Sequence, residues 1–97
     1  MISLEAMLAR VSGLDERRLM AWIDEGWVRP DHKAGQLVFE EIDVARCRLI
    51  IELEQELEVN EAAMPVVLHL LDQLHQTRRQ LRRLAEALDQ ARPPHGG

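Results

Sequence analysis

Residues 11–50, VSGLDERRLMAWIDEGWVRPDHKAGQLVFEEIDVARCRLI, hold the order of elements that decides the fold. A short turn, Val11-Ser12-Gly13, leads to Asp15, whose carboxylate suits a helix N-cap. Leu19, Trp22 and Ile23 fall on one side of that helix, and Gly26 is the natural residue to end it. Trp27 and Val28 lead into a strand, Pro30-Asp31 begins the turn region, Asp31-His32-Lys33-Ala34-Gly35 reads as a polar hairpin loop, and Leu37-Val38-Phe39 as the returning strand. A third helix is expected over about residues 40–56, with Ile42, Ala45, Cys47, Leu49, Ile50 and Leu53 inward. Glu40, Glu41 and Asp43 suit the positive end of its dipole.

Outward from this stretch, residues 3–10 form a first helix capped by Ser3. After a break at Val59-Asn60, a last helix runs over about residues 61–91, with Pro65 either inside its first turn or bending it. Val67, Leu74, Leu81 and Leu88 recur every seven residues along it. Leu70, Thr77, Leu84 and Ala91 fill the matching positions of a second such row. Leu74, Leu81, Leu84 and Leu88 are therefore the expected dimerisation residues, and a homodimer is expected. Arg78, Arg79, Arg82 and Arg83 read as a solvated basic band. The expected divisions are residues 1–60, residues 61–92 for dimerisation or packing, and a flexible tail at residues 93–97.

The chain has 97 residues and a formal net charge of −5. Residues 1–60 hold 13 acids and 7 bases, a net −6; residues 61–97 hold 4 and 5, a net +1. DNA affinity comes largely from Lys and Arg displacing counterions. An acidic unit is better matched to a basic protein surface. One cysteine, Cys47, leaves no internal disulfide and reads as a buried structural thiol. His69 and His75 are six apart and share no helix face, so no metal or other cofactor is expected. Ser3 and Ser12 have no histidine placed as a base, and an enzyme is not expected. With no membrane-length apolar run and no signal peptide, the chain reads as cytoplasmic.

Over about residues 2–75 the element order resembles the MerR-type fold. The expected class is mainly α, a MerR-like winged helix-turn-helix with a small β wing and a long C-terminal helix. The family pattern places Arg-Tyr-Tyr after the recognition-helix leucine, where this chain has Met20-Ala21-Trp22 after Leu19. The family wing carries Gly-aromatic-Arg, where this chain has Gly35-Gln36-Leu37. Arg and Tyr clamp phosphates and set the helix in a groove, and Met and Ala do neither. Specific DNA binding is not expected.

The whole chain resembles the chaperone-modulator proteins of the CbpM type. The resemblance rests on its length, the altered contact set, Trp22, Val38-Phe39, and the segment VLHLLD at residues 67–72 before a Leu/Arg-rich helix. It implies binding to the J-domain of a CbpA-type, DnaJ-like co-chaperone and inhibition of that co-chaperone's action on DnaK. J-domains engage DnaK through a basic helix, so the expected partner-binding residues are the acids Asp24, Glu25, Asp31, Glu40, Glu41 and Asp43. The alternatives are a MerR-like transcription regulator with an altered contact set, and a plain adaptor.

Overall fold

A computed structural model describes residues 1–91. The elements run α1 (Leu4–Arg10), α2 (Glu16–Asp24), β1 (Asp31–Lys33), β2 (Gln36–Val38), α3 (Glu41–Gln55) and α4 (Met64–Gln90). The fold is mainly helical, with a two-stranded antiparallel wing and a long last helix. By contacts it divides into Met1–Met64 and Pro65–Gly97. The expected tail at residues 93–97 lies outside the described residues.

Local chemistry sets the helix ends. Ser3 Oγ accepts the Ala6 N–H at 3.1 Å, and Asp15 Oδ1 accepts the Arg18 N–H at 2.8 Å. Each satisfies one of the donors a helix start leaves open. At the end of α2, Gly26 takes φ +78°. Its N–H reaches the Ile23 carbonyl at 3.0 Å, and the Trp27 N–H reaches the Trp22 carbonyl at 2.9 Å. This pair of bonds is a Schellman cap, and the left-handed backbone it needs is why a glycine stands there.

The wing differs from the expected one. Trp27 and Val28 are buried but form no strand, and Asp31–Lys33 is a strand where a loop was expected. The register pairs Asp31 with Val38 and Lys33 with Gln36. That leaves a two-residue turn, Ala34 (φ +52°) and Gly35 (φ +76°). Two consecutive positive φ values give the tight turn whose twist matches antiparallel strands. Phe39 continues past β2 to bridge Ile2, with both N–H···O distances 2.8 Å. The chain's start is thus sewn to the wing.

The first unit's core combines Met7, Val11, Leu14, Leu19, Trp22, Trp27, Val28, Phe39 and the inner face of α3. That face is Val44, Cys47, Ile50 and Leu53. Ile42 and Ala45, expected inward, are exposed, Leu49 is half-buried, and Val44 takes the inner place. Nearly every side of α3 carries an apolar residue, so periodicity alone could not choose between its faces. Burial pushes the Cys47 thiol up to about 12; Asp43 adds to the rise and Arg46 opposes it.

The last helix starts at Met64, later than expected. Asn60 Oδ1 accepts the Ala63 N–H at 2.8 Å, so it caps a turn at residues 61–63 before the helix proper. Pro65 therefore lies in the first turn, where its missing N–H costs nothing. Met64 and Leu68 are buried, and every described residue from Asp72 onward is exposed.

Candidate functional site

The outward face of α2 is the part of a helix-turn-helix that would meet a ligand. Arg17, Met20, Ala21 and Asp24, at spacings of three and four, are all exposed there. Glu25 follows at the helix end, also exposed. The second basic residue of α2 points elsewhere. Arg18 donates to the Gly13 carbonyl at 2.9 Å and to Glu54 at 2.7 Å. Its guanidinium lies 5.2 Å from the centre of the Trp22 ring. It ties the turn before α2 to α3, a structural role that explains why a cation stands at that position.

The wing offers little more charge for a polyanion. Its tip carries Lys33, whose Nζ lies 3.6 Å from Met1 Sδ, and His32. Arg29, before β1, donates to the Gly26 carbonyl at 3.2 Å. Gln36 is exposed and Leu37 half-buried where the family pattern has an aromatic and an arginine.

The six acids expected to meet a partner separate into two groups. Glu41 makes a two-pronged bond to Arg10, at 2.7 and 2.8 Å. That hydrogen-bonded pairing holds the Glu41 carboxyl below its ordinary range and raises Arg10. Asp43 Oδ2 accepts the Glu40 N–H at 2.8 Å and so caps α3. The Glu40 carboxylate lies 3.9 Å from the amino terminus. All three are occupied in building α3 and tying it to the N-terminal segment. Asp24, Glu25 and Asp31 are exposed and enter no ion pair or side-chain hydrogen bond among the described residues.

Along α4, Leu74, Leu81, Leu84 and Leu88 lie on one stripe with Leu70, each 43–63% exposed. The stripe is interrupted only by Thr77. Arg79, Arg82 and Arg83 are exposed on the far side of the helix, and the exposed Arg78 flanks the stripe. No group of three His, Cys, Asp or Glu that could hold a metal occurs among the described residues. None of the described helices is long and apolar enough to cross a membrane.

A model of the MerR HTH family regulatory proteins matches residues 4–86, most of the chain. The chain belongs to the MerR helix-turn-helix family. The match takes in the whole wing and nearly all of α4. It places this protein among the MerR HTH family regulatory proteins. No curated protein and no solved structure matches the chain.

In this MerR-family chain, three residues stand where sequence reasoning did not look for a surface. Ile42, Ala45 and Leu49 form an apolar flank on α3. Their apolar character was legible, but it pointed inward, because an apolar stripe ordinarily marks a core face.

Proposed function

We propose that this protein modulates a DnaJ-like co-chaperone of the CbpA type in the cytoplasm. It binds the J-domain and blocks stimulation of DnaK. The observation that carries this reading is the outward face of α2. In a MerR-family unit with a net charge of −6, that face presents Met20, Ala21, Asp24 and Glu25. Arg17 is its one exposed cation, since Arg18 is engaged with Glu54.

A duplex would meet net repulsion there, and a basic helix would meet attraction. Asp24, Glu25 and Asp31 are the acids free to steer such a helix. The active form is a homodimer held by the leucine stripe of α4. An exposed row of this length ordinarily marks an interface. The test measures DnaK ATPase activity stimulated by a CbpA-type co-chaperone as this protein is added. Stimulation should fall toward the basal rate. Unchanged stimulation at saturating protein, with a protected site in footprints upstream of its own gene, would favour a DNA-binding regulator instead.

A further inference from the structure

Helix α3 turns Val44, Cys47, Ile50 and Leu53 to the core. Its solvent side is not simply polar. Ile42, 75% exposed, begins a stripe that continues through the exposed Ala45 to the half-buried Leu49. These positions are three and four apart, so they form one flank of the helix. An isoleucine at an exposed helix position has no local reason to be there. A β-branched side chain lowers helix propensity, and Ile42 caps nothing.

The stripe is framed by acid. Glu41 lies one turn before Ala45, and Glu52 and Glu56 continue the row beyond Leu49. All three are exposed, and Glu52 and Glu56 enter no ion pair or side-chain hydrogen bond among the described residues. Two arginines stand near the flank. Arg46 donates its Nε–H to the Trp27 carbonyl at 2.9 Å, and Arg48 donates to the Arg10 carbonyl at 3.0 Å. Arg48 is exposed, and its charge also acts on Glu41, which leaves Glu52 and Glu56 as the acids offered to a partner. From Glu41 to Glu56 the framed stripe is about 22 Å long at the α-helical rise. That matches about four turns of a partner helix.

We infer that this flank of α3 is the docking site for a basic amphipathic helix. Apolar side chains of the partner lie on Ile42, Ala45 and Leu49. Its Lys and Arg side chains meet Glu52 and Glu56. The inference rests on the J-domain reading and supplies that reading with a contact face. Asp24, Glu25 and Asp31 act differently. They attract the partner through the field of the whole unit and set the rate of encounter, whereas the apolar flank sets how long the complex lasts.

A second copy is the rival occupant, because its α4 also carries arginines. The leucines of α4 are already assigned to pairing with each other, so the basic helix is taken to come from a different protein.

The experiment uses the full chain and an isolated J-domain from a CbpA-type co-chaperone. Binding kinetics are measured for the natural protein, Ile42→Ala and Ala45→Arg. Melting temperature and sedimentation are recorded for each. Both sites are exposed, so the variants should fold and sediment as the natural protein does. Ile42→Ala should leave the association rate unchanged and speed dissociation roughly tenfold, as expected for removing a buried apolar anchor. Ala45→Arg places a long cation in the middle of the stripe and should weaken binding at least as much. If the natural protein binds and both variants bind equally well, the face is wrong and the J-domain reading stands. If the variants lower the dimer population, a second copy covers this flank and the inference is overturned. If the natural protein does not bind a J-domain at all, both fall.

Discussion

Leu81→Asp tests the α4 stripe most directly. In the single chain, Leu70, Leu74, Leu81, Leu84 and Leu88 keep 43–63% of their surface exposed. Burying a leucine fully is worth about 2 kcal/mol, so each of these has about 1 kcal/mol still to gain. Two copies together gain about 10 kcal/mol from the stripe. Association costs about 4 to 15 kcal/mol in lost freedom, so at the low end of that cost the stripe leaves about 6 kcal/mol, a dissociation constant on the order of tens of micromolar.

An antiparallel pair centred on Arg79 sets Leu74 against Leu84 of the second copy, Leu88 against Leu70, and Leu81 against Thr77. Aspartate at 81 forfeits the leucine's gain, and its carboxylate costs about 2 kcal/mol or more to bury. With two such sites per dimer the loss is about 6 kcal/mol, or about 10⁴-fold in the dissociation constant. Sedimentation velocity at several hundred micromolar, roughly tenfold above that constant, should show a dimer for the natural chain and a monomer for Leu81→Asp. Thr77→Leu, which fills the polar gap, should tighten the dimer about tenfold. A natural chain that sediments as a monomer, or a Leu81→Asp chain that sediments unchanged, refutes the assignment of this stripe as the dimer interface.

Reversing Asp24, Glu25 and Asp31 together to Lys should slow J-domain association at least about tenfold, with a smaller effect as salt rises, since screening acts over about 8 Å at physiological ionic strength. The same reversal at Glu41 and Asp43 is a poorer probe, because it also breaks the bond to Arg10 and the cap of α3. Reversing Arg78, Arg79, Arg82 and Arg83 should leave J-domain binding unchanged, and loss of binding there would move the interface to α4. For Cys47, the folded thiol is raised to about 12 from its ordinary 9.0. The unfolded chain ionises first, so stability is constant below pH 9 and falls between pH 9 and 12. Urea unfolding across that range should show the loss, and Cys47→Ala should lack it; matching alkaline limbs in the two proteins would count against a buried neutral thiol. Ala34→Asn should raise stability by about 0.5–1 kcal/mol, because asparagine tolerates the positive φ that alanine holds at +52°. A lower melting temperature in that variant would mean the turn is not the one described.

Wherever the deciding interaction spans a few residues, it was legible in the chain. Ser3, Asp15 and Gly26 mark helix ends through bonds to neighbours three to five positions away, so type and spacing were enough. The seven-residue leucine period of α4 was equally plain, since a helix turns any such repeat into a stripe. The altered contact set of α2 could be read because a missing arginine needs no structure to be noticed.

The rest depended on partners far along the chain. Asp31-His32-Lys33 has no strand-like alternation, and only pairing with Gln36–Val38 makes it a strand. The acids of α3 looked alike in sequence until Arg10, 31 positions from Glu41, claimed one of them. Helix α3 offered two apolar stripes, one through Val44, Cys47, Ile50 and Leu53 and the other through Ile42, Ala45 and Leu49. Periodicity weighs them equally. Packing does not, because the core formed with Met7, Leu19, Trp22 and Phe39 has room for only one face of the helix. Composition wrote both stripes, and tertiary packing decided that the one beginning at Ile42 would face the solvent.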